Sequence, residues 1–301
     1  MRWFRGLEMS LLFLAVALCW PVLGFAEPIA ESILPVAQGV EVVLDTDPGH
    51  VLFVPNGLTP QRDKIDLLVH FHGGPTTVRN NAAYGGLNAA ILTVNYSGRS
   101  SAYSRPFQDT KRFENLLRET RAALRKQKDL PADSDIGRLS LSSFSAGYGA
   151  IREILKQPEF FDRVDGILLA DSLYASFASE EDKTPNDGQM RDFRAYAEQA
   201  ARGGKVMIVT HSQVSTSTYA NTQQTADDLL RHLEVRAGNI NKAGLGGLRF
   251  HRTARVGNFT VWGASGDDGE AHMQHLRFIG TWLADLPISI KQRSSEDDAQ
   301  P

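Results

Sequence analysis

Four short stretches of this chain hold side chains that could make and break an acyl bond. The first is "RLSLSSFSAGYGAIREIL", residues 138–155, where Ser145 stands among small residues as an extended run becomes a helical one. The second is "HFHGGP", residues 70–75, two histidines followed by two glycines. The third is Asp171 in "LLADS", and the fourth is "GASGDDGEAHMQHL", which carries Asp267, Asp268, His272 and His275. A serine hydroxyl is a weak nucleophile until a base takes its proton, and histidine, with its ordinary pKa near 6.5, is the usual base. A carboxylate then fixes the imidazole tautomer. Serine, acid and histidine occur here in that order. No H-E-x-x-H, C-x-x-C or Walker loop occurs in the chain, and its single cysteine is Cys19. No cofactor is implied.

These residues need elements to hold them. "VEVVLD" and "HVLFVP" flank "TDPG" and predict an antiparallel hairpin. "KIDLLVHFHGG", "AAILTVNY", "RLSLSS", "VDGILLADS", "KVMIVTHS" and "NFTVWGA" read as buried strands. Between them, "KRFENLLRETRAALRKQ", "AGYGAIREILKQ", "DFRAYAEQAARGG", "TADDLLRHLEV" and "AHMQHLRFIGTWLADL" have helical spacing, the last with a stripe of Met273, Leu276, Ile279, Leu283 and Leu286. Such alternation predicts an α/β fold: a mostly parallel sheet with helices on both faces and an antiparallel N-terminal hairpin. A small insertion falls between the strand ending near 171 and the one starting near 205. Residues 235–257 are glycine-rich and read as irregular.

Strand, then Ser143-Phe144-Ser145-Ala146-Gly147, then helix, resembles the nucleophile elbow of the α/β-hydrolase superfamily, with serine in place of the first glycine of G-x-S-x-G. His72-Gly73-Gly74 closes an upstream strand and is similar to the oxyanion loop of esterases and lipases in that superfamily. The resemblance implies a serine esterase with Ser145 as nucleophile. It further implies oxyanion donors from Gly73, Gly74 and Ala146, and a base on the loop before the last helix. His272 fits that base better than His275 because it stands at the helix entry. The acid is expected at Asp171, since the strand "KVMIVTHS" ends without a carboxylate. Asp267 and Asp268, on the 264–271 loop, read as turn formers or caps.

Other readings compete. His70 and His72 alternate on a strand and could share a metal, although a core or positioning role, or a substrate contact by His72, fits the glycine loop better. Arg99 and Arg105 follow a strand end and could meet an anionic substrate group, or be solvated loop residues. His211 ends a strand at the same sheet edge and is a further candidate substrate contact. "GLGG" at 244–247 neither follows a strand nor precedes a helix, so it is no phosphate cradle. His72-Gly73-Gly74-Pro75 also resembles the oxyanion stretch of proline-specific aminopeptidases, which keeps a peptidase or amidase as the alternative. A binding protein that retained the scaffold is the third possibility.

The formal charge of −3 over 301 residues, with scattered Lys and Arg, argues against nucleic acid or an anionic membrane surface as partner. Residues 1–26 have Arg2 and Arg5, an apolar run and a small-residue end at Gly24-Phe25-Ala26, the layout of a secretory signal peptide. Cleavage after Ala26 would remove Cys19, and with Arg2, Arg5 and Glu8 a net +1, leaving −4 on the mature chain. The expected organisation is a leader (1–26), one hydrolase domain (27–290) and a polar tail (291–301). The expected product is an exported, periplasmic or secreted enzyme acting on a small-molecule ester.

Overall fold

In the computed structural model the described residues are 33–291, apart from 46, 48, 128, 129, 132 and 180. The leader at 1–26 and all but the first residue of the polar tail lie outside them.

Ten strands form one sheet in the order β1-β2-β4-β3-β5-β6-β7-β10-β9-β8. Strands β1 (Gly39–Val43) and β2 (His50–Pro55) form the N-terminal antiparallel hairpin, and β2 runs antiparallel to β4 (Ala89–Val94). From β4 the sheet is parallel through β3 (Lys64–Phe71), β5 (Asp135–Phe144), β6 (Gly166–Ala170), β7 (Val206–His211) and β10 (Phe259–Ala264). The central strands are buried along their length, so their sequences read as unbroken apolar runs rather than alternations.

Alternate side chains of these strands feed two cores. Leu67, Val69 and Phe71 of β3 point to one face, where α3 (Thr110–Arg125), α4 (Tyr148–Leu155), α6 (Asp187–Ala201) and α7 (Thr222–His232) pack. Leu68 points to the other, against Val78 of α1 (Pro75–Tyr84), Leu276 of α8 (Gly269–Arg277) and Trp282 of α9 (Gly280–Leu283). Caps set the helix starts: Asp109 accepts from Lys111 N at 3.0 Å before α3, and Asn221 with Gln224 forms a capping box on α7.

Three expectations are corrected. Residues 235–257 are not irregular: β8 (Gly238–Ala243) and β9 (Arg249–Val256) extend the sheet antiparallel beyond β10. Buried Phe250 and Ala254 alternate along β9, but the intervening arginines hide the pattern. "GLGG" therefore follows a strand, and Gly246 and Gly247, at φ 60° and 90°, make its turn into β9. Second, "NYSGRSSAYSRPFQD" is not simply a loop, because Ser100–Phe107 is helix α2. Third, the last helix is divided. Asn81 of α1 donates to Arg277 O (3.0 Å) and accepts from Gly280 N (2.8 Å), taking over main-chain groups at the joint between α8 and α9. Helices α1 and α5 (Pro158–Arg163) had no strong periodic signal; each begins with a proline at its first position.

Two histidines of the parallel strands are buried in this sheet without charge. His70 of β3 bonds Ser142 Oγ through Nδ1 at 2.8 Å, and burial lowers its pKa to about 3. His211 of β7 donates from Nδ1 to Ser212 O and accepts from Arg252 Nε at 2.7 Å; burial, then the Arg252 charge, lowers it to about 3. Below pH 6.5 the unfolded chain takes up protons that these folded rings refuse, so stability should be full above pH 6.5 and fall as the pH drops toward 3. At pH 5 the loss should be about 2 kcal/mol per ring. Urea unfolding at pH 7.5 and 5.0 measures it, and equal stability at both would mean that neither ring stays neutral in the folded protein.

Candidate active site

The nucleophile candidate sits where β5 turns into α4. Phe144 is extended (φ −117°), Ser145 is left-handed (φ 47°), and a single 3-10 turn over Ser145–Gly147 leads into α4. A non-glycine residue at positive φ is strained unless its surroundings hold it there. They do so in two ways. Gly147 lies so close to β3 that a Cβ would come within 2.2 Å of Phe71 O. On the other side Ser172 Oγ donates to Ser145 O (2.9 Å) and bonds Ser143 Oγ (2.8 Å). With the Ser172 proton committed to that carbonyl, Ser143 donates to Ser172. Serine in the place of the first glycine is thus a buried link between the ends of β5 and β6.

Asp171, directly after β6, is fully buried and also left-handed (φ 40°). Its Oδ1 accepts from Ser212 N (2.8 Å) and from the Thr222 hydroxyl; its Oδ2 accepts from His272 Nδ1 at 2.6 Å. Burial opposes its ionisation, but His275, His272 and Thr222 outweigh burial and hold the carboxyl well below the usual carboxylate range. Asp171 N donates to Thr210 Oγ1, which also bonds His275 Nδ1 at 2.6 Å.

His272 enters α8 behind Asp268, whose side chain caps the helix at Ala271 N (2.8 Å). Its side chain remains 21% exposed, while His275 is buried and stacked on Trp282. With Nδ1 held by Asp171, the Nε2 of His272 is the nitrogen left for a substrate or a serine. Asp267 is exposed on the same loop. Ser145 and His272 line one open cleft of about 700 Å³. Its other walls come from Arg99 and Ser100, from α4, from the 174–176 and 214–219 segments and from Gln189.

Other expected residues stand differently. Gly73 is not a free oxyanion donor, because its N–H is bonded to Asn95 Oδ1 (3.0 Å) and Asn95 Nδ2 returns a bond to Gly73 O. Gly74 is the N-cap of α1, and neither glycine lines the cleft, whereas Ala146 does. His211 is fully buried with both ring nitrogens bonded and does not line the cleft. Arg105, in the last turn of α2, is exposed and away from the cleft; Arg99 is on its rim. His72 (φ 70°) bonds the Tyr103 hydroxyl at 2.7 Å and stacks on Phe144, whose ring also meets His272 at 4.5 Å. Burial first, then the His272 charge, lowers its pKa. His70 and His72 are held by different partners. No group of three metal-ligating side chains occurs among the described residues.

Sequence reasoning missed Ser172, Thr210, Thr222 and Asn95, which serve the site from separate elements and carry no motif. Tyr148 and Arg152 were within reach, since i, i+4 spacing on α4 puts them on one face.

Gly147→Ala should destabilise the protein by more than about 4 kcal/mol, since the clash is with backbone on an inner strand. Urea unfolding measures it, and a change under about 1 kcal/mol would show that the elbow yields easily.

No family model and no curated protein matches the chain. Among solved structures it is similar to the feruloyl esterase module of Clostridium thermocellum, at 11% identity over 85% of this chain and 92% of that one, with a TM-score of 0.44. It is also similar to an esterase of Rhizomucor miehei (14% identity, 86% and 85% covered, TM-score 0.40) and to a Thermus thermophilus protein (15%, 82% and 98%, 0.39). Such likeness says nothing of what this chain acts on. The strand order, with β2 antiparallel beside the parallel run from β4 to β10, and the strained serine between β5 and α4 give this chain the α/β-hydrolase fold.

Proposed function

We propose that this protein is an exported serine hydrolase that cleaves a carboxylic ester through an acyl-enzyme. The observation that carries the reading is the 2.6 Å bond from His272 Nδ1 to the buried Asp171 carboxylate, at a cleft that the strained Ser145 shares. Ser145 Oγ attacks the acyl carbon and its proton passes to His272 Nε2. His272 then gives that proton to the departing alkoxide, and the acyl group stays on Ser145. Water, deprotonated by the same nitrogen, attacks the ester to Ser145, and His272 returns that proton to Ser145 Oγ as the acyl–oxygen bond breaks and the acid leaves. Asp171 keeps the proton on Nδ1 and stabilises the imidazolium. The Ala146 N–H, next to the nucleophile, is the donor assigned to the oxyanion.

Ser145→Ala should abolish covalent labelling by a fluorophosphonate in a protein that still unfolds cooperatively; stoichiometric labelling of the variant would place the nucleophile elsewhere. Asp171→Asn should lower turnover by about a thousandfold or more, the scale seen when the base is held in the wrong tautomer. Asp267→Asn and Asp268→Asn should each cost less than roughly tenfold. Steady-state kinetics on p-nitrophenyl esters and matching anilides decides between these outcomes, and between esterase and amidase. Export is part of the same proposal. The protein recovered from outside the cytoplasm should begin at Glu27 and lack cysteine, which N-terminal sequencing and intact mass check; a chain beginning at Met1 and soluble only in detergent would mean anchoring instead.

A further inference from the structure

The cleft has a charge imbalance that ester cleavage alone does not use. Two arginines line it, Arg99 and Arg152, and none of its lining residues is an aspartate or glutamate. Neither guanidinium has an ion-pair partner among the described residues. The nearest carboxylate in sequence, Glu153, is bound to Lys156 at 2.8 Å.

Arg152 is the better placed of the two. It is half-buried on α4, and its guanidinium lies 4.7 Å above the Tyr148 ring. One nitrogen, Nη2, donates to Tyr174 O; Nε is buried without an acceptor. A guanidinium is a planar fork suited to a carboxylate, and this one faces the cleft half-buried, with no carboxylate among the described residues bonded to it and with Nε unpaired. Helical side chains lean toward the N-terminus, so Arg152 reaches back over Tyr148 toward Ser145. Arg152 and Ser145 line the same cleft, with Tyr148 between them on its wall. Arg99 is brought to the same wall because α2 packs directly on α4, where a Cβ on Gly149 would meet Ser100 O at 2.3 Å. Tyr174 and Tyr219, edge to face at 5.6 Å, complete an aromatic side.

We infer that the site takes esters carrying a second, anionic group, a carboxylate set a few bonds from the scissile ester, which Arg152 receives and Arg99 draws in from the rim. The inference rests on the proposed hydrolase reading for the place of the ester, but not for the anion. The carboxylate can belong to the acyl part or to the alcohol part, and two probe pairs separate these. On the acyl side, p-nitrophenyl hydrogen glutarate is compared with p-nitrophenyl valerate, and on the alcohol side 4-acetoxybenzoate with phenyl acetate. In at least one pair the anionic ester should have a kcat/KM at least about tenfold above its neutral partner, carried by KM. Arg152→Gln should bring that ratio close to one, Arg99→Gln should reduce it, and Arg152→Lys should keep part of it.

Ratios near one in both pairs for the unaltered protein, or a preference that survives Arg152→Gln and Arg99→Gln alike, would overturn the inference. Binding keeps it separate from catalysis. In the Ser145→Ala protein, monomethyl glutarate should bind by calorimetry and bind at least about tenfold more weakly once Arg152→Gln is added. If none of the esters is cleaved but this binding and its loss are seen, the hydrolase reading fails and the anion site stands. If esters are cleaved and the ligand does not bind, the reverse holds.

Discussion

A carboxylate with no access to water must be fully bonded or it will not remain charged, and the active end of this sheet is arranged around one such group. Asp171 is reached from β7 by the Ser212 amide, from α7 by the Thr222 hydroxyl and from α8 by His272. Each partner arrives on a different element, so the position of three elements is tied to one side chain. The cost of burying the charge is offset only when all three are in place. The ring that shares Oδ2 thereby has its tautomer and its direction fixed.

The same economy governs the elbow. Its backbone strain is held by close approach of α4 to β3 at Gly147 and by the Ser143–Ser172 link to the Ser145 carbonyl. A glycine at 143 would allow the close packing but supply no hydroxyl. With serine there, the ends of β5 and β6, which carry Ser145 and Asp171, are bonded to each other as well as paired through the sheet. Phe144 adds a third constraint, since its ring lies between those of His72 and His272, stacked on the first and 4.5 Å from the second.

On the proposed reading, specificity lies on other elements. The cleft is walled by α4, by the entrance to α2, and by segments within the 172–204 insertion and after β7, none of which belongs to the serine–histidine–aspartate set beyond Ser145 and His272 themselves. The proposed chemistry is thus set by the ends of β5 and β6 and the first turn of α8, whose geometry the sheet and the Asp171–His272 bond fix. On the proposed reading the substrate's shape is met by helix faces and loops, which can vary without disturbing those ends.

Much of this was legible in the chain alone. Alternating apolar runs and helical stripes specify a mostly parallel sheet with covered faces, because burial on both sides demands continuous apolar strands. Small residues around Ser145 mark a turn too tight for anything larger, and Ser145, Asp171 and His272 follow β5, β6 and β10, parallel strands that end on one side of the sheet. What local pattern does not encode is who meets whom across the sheet. That Asn95 occupies the Gly73 amide, that His211 is sealed off while His272 is not, and that Asp171 is bonded by Thr222 depend on contacts between residues 22 to 101 positions apart. The strands β8 and β9 escaped notice for a related reason, since an edge ribbon with one solvated face carries arginines where a core strand would carry valines. Sequence determined the kinds of side chain and the elements that bear them; tertiary structure decided which hydrogen-bonding groups were already spent and which remained for a substrate, because that depends on distances only the packed sheet sets.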